Sequence, residues 1–147
     1  KADSIESAFL FCSMEHIEHI GIAVKDLEQS IPVYERLLNT KCYKREEVAS
    51  ENVITAFFKA GNNKIELLQA TSTASAIHSF VEKRGEGIHH IAYSVKDILS
   101  EMQRLRSDGF RLLNEAPKKG ADNKLICFVH PKDASGVLTE LCQEISA

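Results

Sequence analysis

Tryptophan is absent from the 147 residues, proline occurs three times and glycine seven times. So little proline and glycine excludes a collagen-like or linker-rich chain. Long apolar runs are missing too: stretches such as Ile20–Val24 are far too short to cross a bilayer, so no membrane is expected as a partner. There is no excess of positive charge, because 18 Lys and Arg stand against 21 Asp and Glu for a net charge of −3. That balance offers no global field for a phosphate backbone, and nucleic acid is not expected as a partner. The four cysteines, Cys12, Cys42, Cys127 and Cys142, form no CxxC pair, and the last two sit in largely apolar runs. This pattern suits reduced thiols in the cytoplasm and argues against a disulfide scaffold. What the chain does have is a 44% hydrophobic fraction, enough to close a core at about one domain's length.

Residues 1–13 show no sustained period and read as an N-terminal extension or an appended segment outside the fold. The rest is organised by an internal repeat. His19-Ile-Gly-Ile-Ala-Val-Lys-Asp-Leu27 returns as His90-Ile-Ala-Tyr-Ser-Val-Lys-Asp-Ile98, identical at five of nine positions and displaced by 71 residues. Each copy starts with a period-2 apolar strand, Ile17–Val24 or Ile88–Val95, that runs into Lys-Asp. Asp26 and Asp97 are therefore expected as helix N-caps, with amphipathic helices following. Three β-type runs come next in each copy. They are Lys41–Val48, Val53–Ala60 and Lys64–Gln69 in the first, and Phe110–Glu115, Leu125–His130 and Gly136–Cys142 in the second. Gly61-Asn62-Asn63 marks a tight hairpin between two of them. The pattern predicts an α+β fold of two βαβββ modules forming a curved mixed sheet. One domain over 14–147 is expected, with modules 14–72 and 86–147 joined by a helix at 73–85.

Alternation along the first strand of each copy puts His19, Gly21 and Ala23 on one face, and His90, Ala92 and Ser94 on the equivalent face. Small residues beside a histidine leave room for a cavity, whereas Ile20, Ile22, Ile91 and Val95 are expected to pack under the helices. Glu66 and Glu140 are acids within strands that are otherwise mostly apolar. Burying a lone carboxylate costs several kcal/mol, roughly, unless a cation compensates it. Two histidines and two acids at equivalent places of a repeat therefore predict one divalent ion held by His19, Glu66, His90 and Glu140. Imidazole with carboxylate suits Co, Ni, Mn or Zn, with positions left open for substrate oxygens. His89 is expected to point to the opposite side of the strand from His90, for packing or a structural hydrogen bond, and Arg45-Glu46-Glu47 to be a solvated strand end.

These residues resemble the vicinal oxygen chelate (glyoxalase/bleomycin resistance) superfamily, and most closely its methylmalonyl-CoA epimerase family. The likeness spans about Ile17–Glu144 and is carried by HIGIAVKDLEQSIPVYERLL, KIELLQ, FVEKRGEGIHHIAYSVKDI and FVHPKDASGVLTELCQ. It implies a glyoxalase-like fold, a homodimer, a CoA thioester substrate and interconversion of (2R)- and (2S)-methylmalonyl-CoA through a metal-stabilised enolate. It puts the metal ligands on the same four residues and assigns Glu140 to proton transfer as well. Thr55 stands where some of these epimerases carry a second glutamate base, so the resemblance does not identify that group. The alternatives it brings are a glyoxalase I-type lactoylglutathione lyase and a non-catalytic binding or resistance protein of the same fold.

Overall fold

The computed structural model describes residues 14–146, so the expected extension at 1–13 lies outside the described residues. Packing divides the chain into two units, one running from Glu18 to Ile91 and the other comprising the remaining described residues.

In the first unit, β1 (His16–Ala23) leads into α1 (Leu27–Leu38), followed by β2 (Lys44–Val48), β3 (Val53–Ala60), β4 (Asn63–Ala70) and α2 (Ala76–Arg84). Asp26 caps α1 as expected, its carboxylate accepting from the Glu28 amide at 2.9 Å. The β3–β4 hairpin turns at Gly61, whose φ of 64° is the left-handed conformation that glycine adopts without strain. β2–β3 and β3–β4 are antiparallel, while β1 and β4 are parallel, with Gly21 beside Glu66. Ile22 and Val24 pack with Leu27, Phe58 and Leu67 against α1. Ser75 caps α2 and Gly85 ends it at φ 77°, so a helix lies within the expected 73–85 but spans only Ala76–Arg84.

The second unit repeats the plan with β5 (Gly87–Ser94), α3 (Ile98–Ser107), β6 (Lys118–Lys119), β7 (Lys124–Val129) and β8 (Thr139–Glu144), the start of β5 belonging to the first unit. Strand order is β1-β4-β3-β2 in one copy and β5-β8-β7-β6 in the other, so equivalent strands hold equivalent positions. Three finer details also recur. Asp97 caps α3 as Asp26 caps α1. The Gln69 side chain accepts from the Leu27 amide at 2.7 Å, and Gln143 does the same for Ile98 at 2.8 Å. The Val24 amide donates to Leu68 and the Val95 amide to Cys142, both at 2.9 Å. Glu66-Leu-Leu-Gln69 and Glu140-Leu-Cys-Gln143 are thus a second repeated motif, and each ties its module's helix to the strand that bears the acid.

The expected strand Phe110–Glu115 is reduced to a single bridge between Leu112 and Val129. The Asn114 side chain accepts from the Phe128 amide at 2.9 Å, taking a backbone donor that a regular ladder needs. The short partner strand lies instead at Lys118–Lys119, between the runs expected at Phe110–Glu115 and Leu125–His130. The last strand begins at Thr139 rather than Gly136, because Ser135 and Gly136 both take positive φ after a 3-10 turn at Pro131–Asp133. Among the described residues no helix is long and apolar enough to cross a membrane.

Candidate metal centre

The registry of the first unit brings three of the four expected ligands together. Glu66 lies beside Gly21, and the space that a side chain at Gly21 needs is filled by the His90 ring: a Cβ there overlaps its Cε1, Nδ1 and Nε2. His19 Nε2 stands 3.1 Å from His90 Nε2 and 3.1 Å from Glu66 Oε2, and His90 Nε2 stands 3.4 Å from the same oxygen. All three residues are buried, at 5% exposure or less. Two ligand atoms about 2.1 Å from one ion are about 3.0 Å apart at a right angle and about 3.4 Å apart at a tetrahedral angle. The spacings in the cluster match that range, and two imidazoles with one carboxylate are a donor set for a first-row divalent ion. These residues fit a metal.

Burial pushes the Glu66 carboxyl up, but hydrogen bonds and positive charge from His19 and His90 outweigh it and hold the pKa at about 2.

The Nδ1 sides of both histidines are engaged by the residue that precedes each, Glu18, which was not singled out in the sequence, and His89, which was. Glu18 Oε2 is hydrogen-bonded to His19 Nδ1, and Lys64 Nζ donates to Glu18 Oε1 at 2.7 Å. Burial raises the Glu18 carboxyl, yet His19 and Lys64 pull its pKa down to about 2. His89 both packs and hydrogen-bonds, the roles expected of it, but it does so by reaching back to its neighbour: its Nδ1 lies 2.9 Å from His90 Nδ1, while its ring meets Phe80 edge-on at 5.0 Å. Burial, followed by repulsion from His90, lowers the His89 pKa to about 4, so this ring is neutral at pH 7. The available signal was the residue preceding each histidine, at repeat-equivalent positions 18 and 89.

Three other expectations need correction or placement. Ala23 does not line a cavity: it is fully buried with Val53, Leu68 and Ile77 beneath α2. Glu46 is not simply solvated at a strand end. It is half-buried and pairs directly with Thr55 across β2–β3, so the two side chains share a face, as do Phe57 and Glu66 across β3–β4. Glu140 lies in β8 of the second unit, opposite Phe128, 5% exposed and followed by the buried Leu141 and Cys142.

Residues 18–128 match the model of the Glyoxalase/Bleomycin resistance protein/Dioxygenase superfamily. The chain is 40% identical over 129 residues to the ethylmalonyl-CoA/methylmalonyl-CoA epimerase of Cereibacter sphaeroides, covering 86% of this chain and 96% of that one. The chain belongs to this superfamily, in its methylmalonyl-CoA epimerase family. The crystal structure of the Mycobacterium tuberculosis methylmalonyl-CoA epimerase superposes on this superfamily member with a TM-score of 0.87 at 35% identity, covering 90% of each chain. A Streptomyces coelicolor methylmalonyl-CoA epimerase variant in complex with 2-nitronate-propionyl-CoA also gives 0.87, at 34% identity, over 91% of this chain and 100% of that one. The α+β fold of two βαβββ modules is thereby the vicinal oxygen chelate fold.

In this family member Gly21→Val is expected to cost far more at the centre than in the core. The new side chain takes the space of the His90 ring and displaces its Nε2 from Glu66. Divalent-ion content measured by elemental analysis should fall at least tenfold, with the far-ultraviolet circular dichroism spectrum retained, since misplaced donors lose about 10–100-fold in affinity.

Proposed function

We propose that this chain interconverts the (2R) and (2S) epimers of methylmalonyl-CoA by removing and returning the proton at C2, with His19, Glu66, His90 and Glu140 around one divalent ion. The observation that carries the reading is the convergence of two imidazole Nε2 atoms and one carboxylate oxygen in a buried cluster. It is supported by the Streptomyces coelicolor relative with its 2-nitronate-propionyl-CoA ligand. A nitronate is flat at carbon and spreads its negative charge over oxygens, as does the enolate left when C2 loses its proton. Cobalt, nickel, manganese and zinc all suit this donor set.

When bound, the ion supplies positive charge that stabilises the enolate's oxygens and so acidifies C2. The protein residues then divide the work. Glu66, with its carboxyl held at about 2, keeps its negative charge and takes up protons poorly, which suits a ligand and not a base. Glu140, an acid in a strand with buried apolar neighbours, is the group that exchanges the C2 proton. Inversion requires proton delivery from the face opposite to removal, so a second acid–base group acts across the planar intermediate. The free thiols Cys42 and Cys127 support a reducing compartment, the cytoplasm in this reading. The resemblance supports a homodimer.

The test offers purified protein two substrates, before and after chelation with EDTA: methylmalonyl-CoA, and the glutathione hemithioacetal of methylglyoxal. The expected result is turnover of the CoA thioester alone, lost on chelation and restored by Co2+. Preferential turnover of the glutathione adduct makes the chain a lyase of the glyoxalase I type. Binding with no turnover of either makes it a binding protein.

A further inference from the structure

Each of the two histidines at the cluster is gripped from behind by the residue that precedes it, and the two grips differ in chemistry. Glu18 and His89 are equivalent positions of the internal repeat, 71 residues apart, as are His19 and His90. We propose that Glu18 and His89 are positioning residues of the metal centre that fix His19 and His90 as Nε2 ligands, and that the carboxylate at 18 makes His19 the stronger donor of the pair. The inference rests on the metal-centre reading above.

The argument starts from proton inventory. A neutral imidazole that donates a lone pair from Nε2 must carry its hydrogen on Nδ1. An ionised carboxylate can only accept, so the Glu18 Oε2 contact at His19 Nδ1 admits a single tautomer of the neutral ring, the one whose lone pair is on Nε2. Lys64 holds the other carboxylate oxygen at 2.7 Å, and Glu18 is 7% exposed, so the carboxylate is both oriented and shielded from water. At the second histidine, Nδ1 faces Nδ1 at 2.9 Å, and only one of two nitrogens in such a contact can carry the hydrogen. If His90 keeps it, His89 accepts through its lone pair and is therefore neutral. Its ring is fixed by the edge-on packing against Phe80 at 79°.

The Glu18 contact fixes the nitrogen at His19, whereas the His89 contact leaves the same nitrogen available at His90 when His90 holds the shared hydrogen, so the two grips are of unequal strength. A carboxylate acceptor pulls the Nδ1 hydrogen toward itself and raises the electron density at the opposite nitrogen. A neutral imidazole does this less, since hydrogen bonds to ions are about twice as strong as neutral ones. Replacing either group should therefore weaken the ion's hold without removing a ligand, and the effect should be larger at 18. The alternation of a strand gives no hint of this, because residue i−1 nominally faces the other way. Each side chain is long enough to reach back to its neighbour's Nδ1.

The test titrates Co2+ alone into metal-free wild-type protein, Glu18→Gln, Glu18→Asp and His89→Phe, in competition with a chromophoric chelator. The cobalt d–d spectrum and the melting temperature are recorded for each. Glu18→Gln keeps an oxygen acceptor and its shape but loses the charge. It is expected to bind Co2+ about 10-fold or more weaker with a shifted spectrum, the loss typical of a carboxylate partner behind a metal histidine. Glu18→Asp should recover part of that affinity. His89→Phe keeps the ring packing on Phe80 and should lose less than about 10-fold. Wild-type affinity and spectrum in Glu18→Gln overturn the inference while leaving the metal reading intact, and so does a larger loss at 89 than at 18. No Co2+ binding by wild-type protein overturns the metal reading itself, and the inference with it. If Glu18→Gln does not fold, His89→Phe and Glu18→Asp still decide, because wild-type Co2+ affinity in both contradicts the proposal.

Discussion

Glu140→Gln is expected to stop the exchange of the C2 proton while leaving much of the divalent ion in place. In the proposed site an amide oxygen can replace the carboxylate as a weaker ligand, but it cannot accept a proton at neutral pH. A positioned general base contributes about 10²–10⁴-fold to a proton transfer, so inversion should slow by that factor. The side chain is 5% exposed and the substitution is nearly isosteric, so the core around Leu141 and Cys142 has no reason to rearrange. Inversion rate and metal content, measured on the same preparation, separate the two roles. Undiminished exchange at full occupancy would leave Glu140 a ligand only and move the base to another residue.

His90→Ala should produce the opposite signature, with ion and activity lost together. His90 is 2% exposed, and its Nε2 stands within 3.4 Å of both His19 Nε2 and Glu66 Oε2, so truncation deletes a donor from the middle of the cluster. It also removes one of the two groups that hold the Glu66 carboxyl down, and burial then pushes that carboxyl upward. A carboxyl that gains a proton more readily is a poorer ligand, so the second donor weakens as the first disappears. An ion that stabilises developing charge contributes several kcal/mol; about 4 kcal/mol corresponds to roughly a thousandfold in rate, and the loss should be at least that. Elemental analysis, inversion assay and urea midpoint on one sample check the prediction. Wild-type metal content in this variant would remove His90 from the ligand set.

The parts of this protein that were legible in the sequence are those where two independent signals coincide. The β3–β4 hairpin combined period-2 alternation with Gly61-Asn62-Asn63, and the structure reproduces both strands to within a residue at each end. The helices after β1 and β5 combined apolar spacing with the caps Asp26 and Asp97. His19, Glu66 and His90 were recognisable because the repeat gave each acid and histidine a counterpart, and their convergence follows from strand pairing. Glu46 was misread because Lys44-Arg-Glu-Glu-Val48 has no apolar marker until its last residue. An all-polar strand does not announce which of its faces is inward; only the pairing with β3 settles it. Ala23 was misread for a tertiary reason: a small residue leaves space, but here Ile77 from the linking helix occupies it. The missing strand at Phe110–Glu115 failed through one side chain, since Asn114 competes for the backbone donor that β pairing uses.

Proton inversion at C2 is the central claim, and it is tested most directly with a single pure epimer of methylmalonyl-CoA incubated in deuterated water with the metal-loaded protein. The reading predicts that the opposite epimer accumulates until the two are equal, and that each inverted molecule carries one deuterium at C2 taken from solvent. Recovery of the starting epimer, uninverted and unlabelled, while the protein demonstrably holds its ion would contradict it.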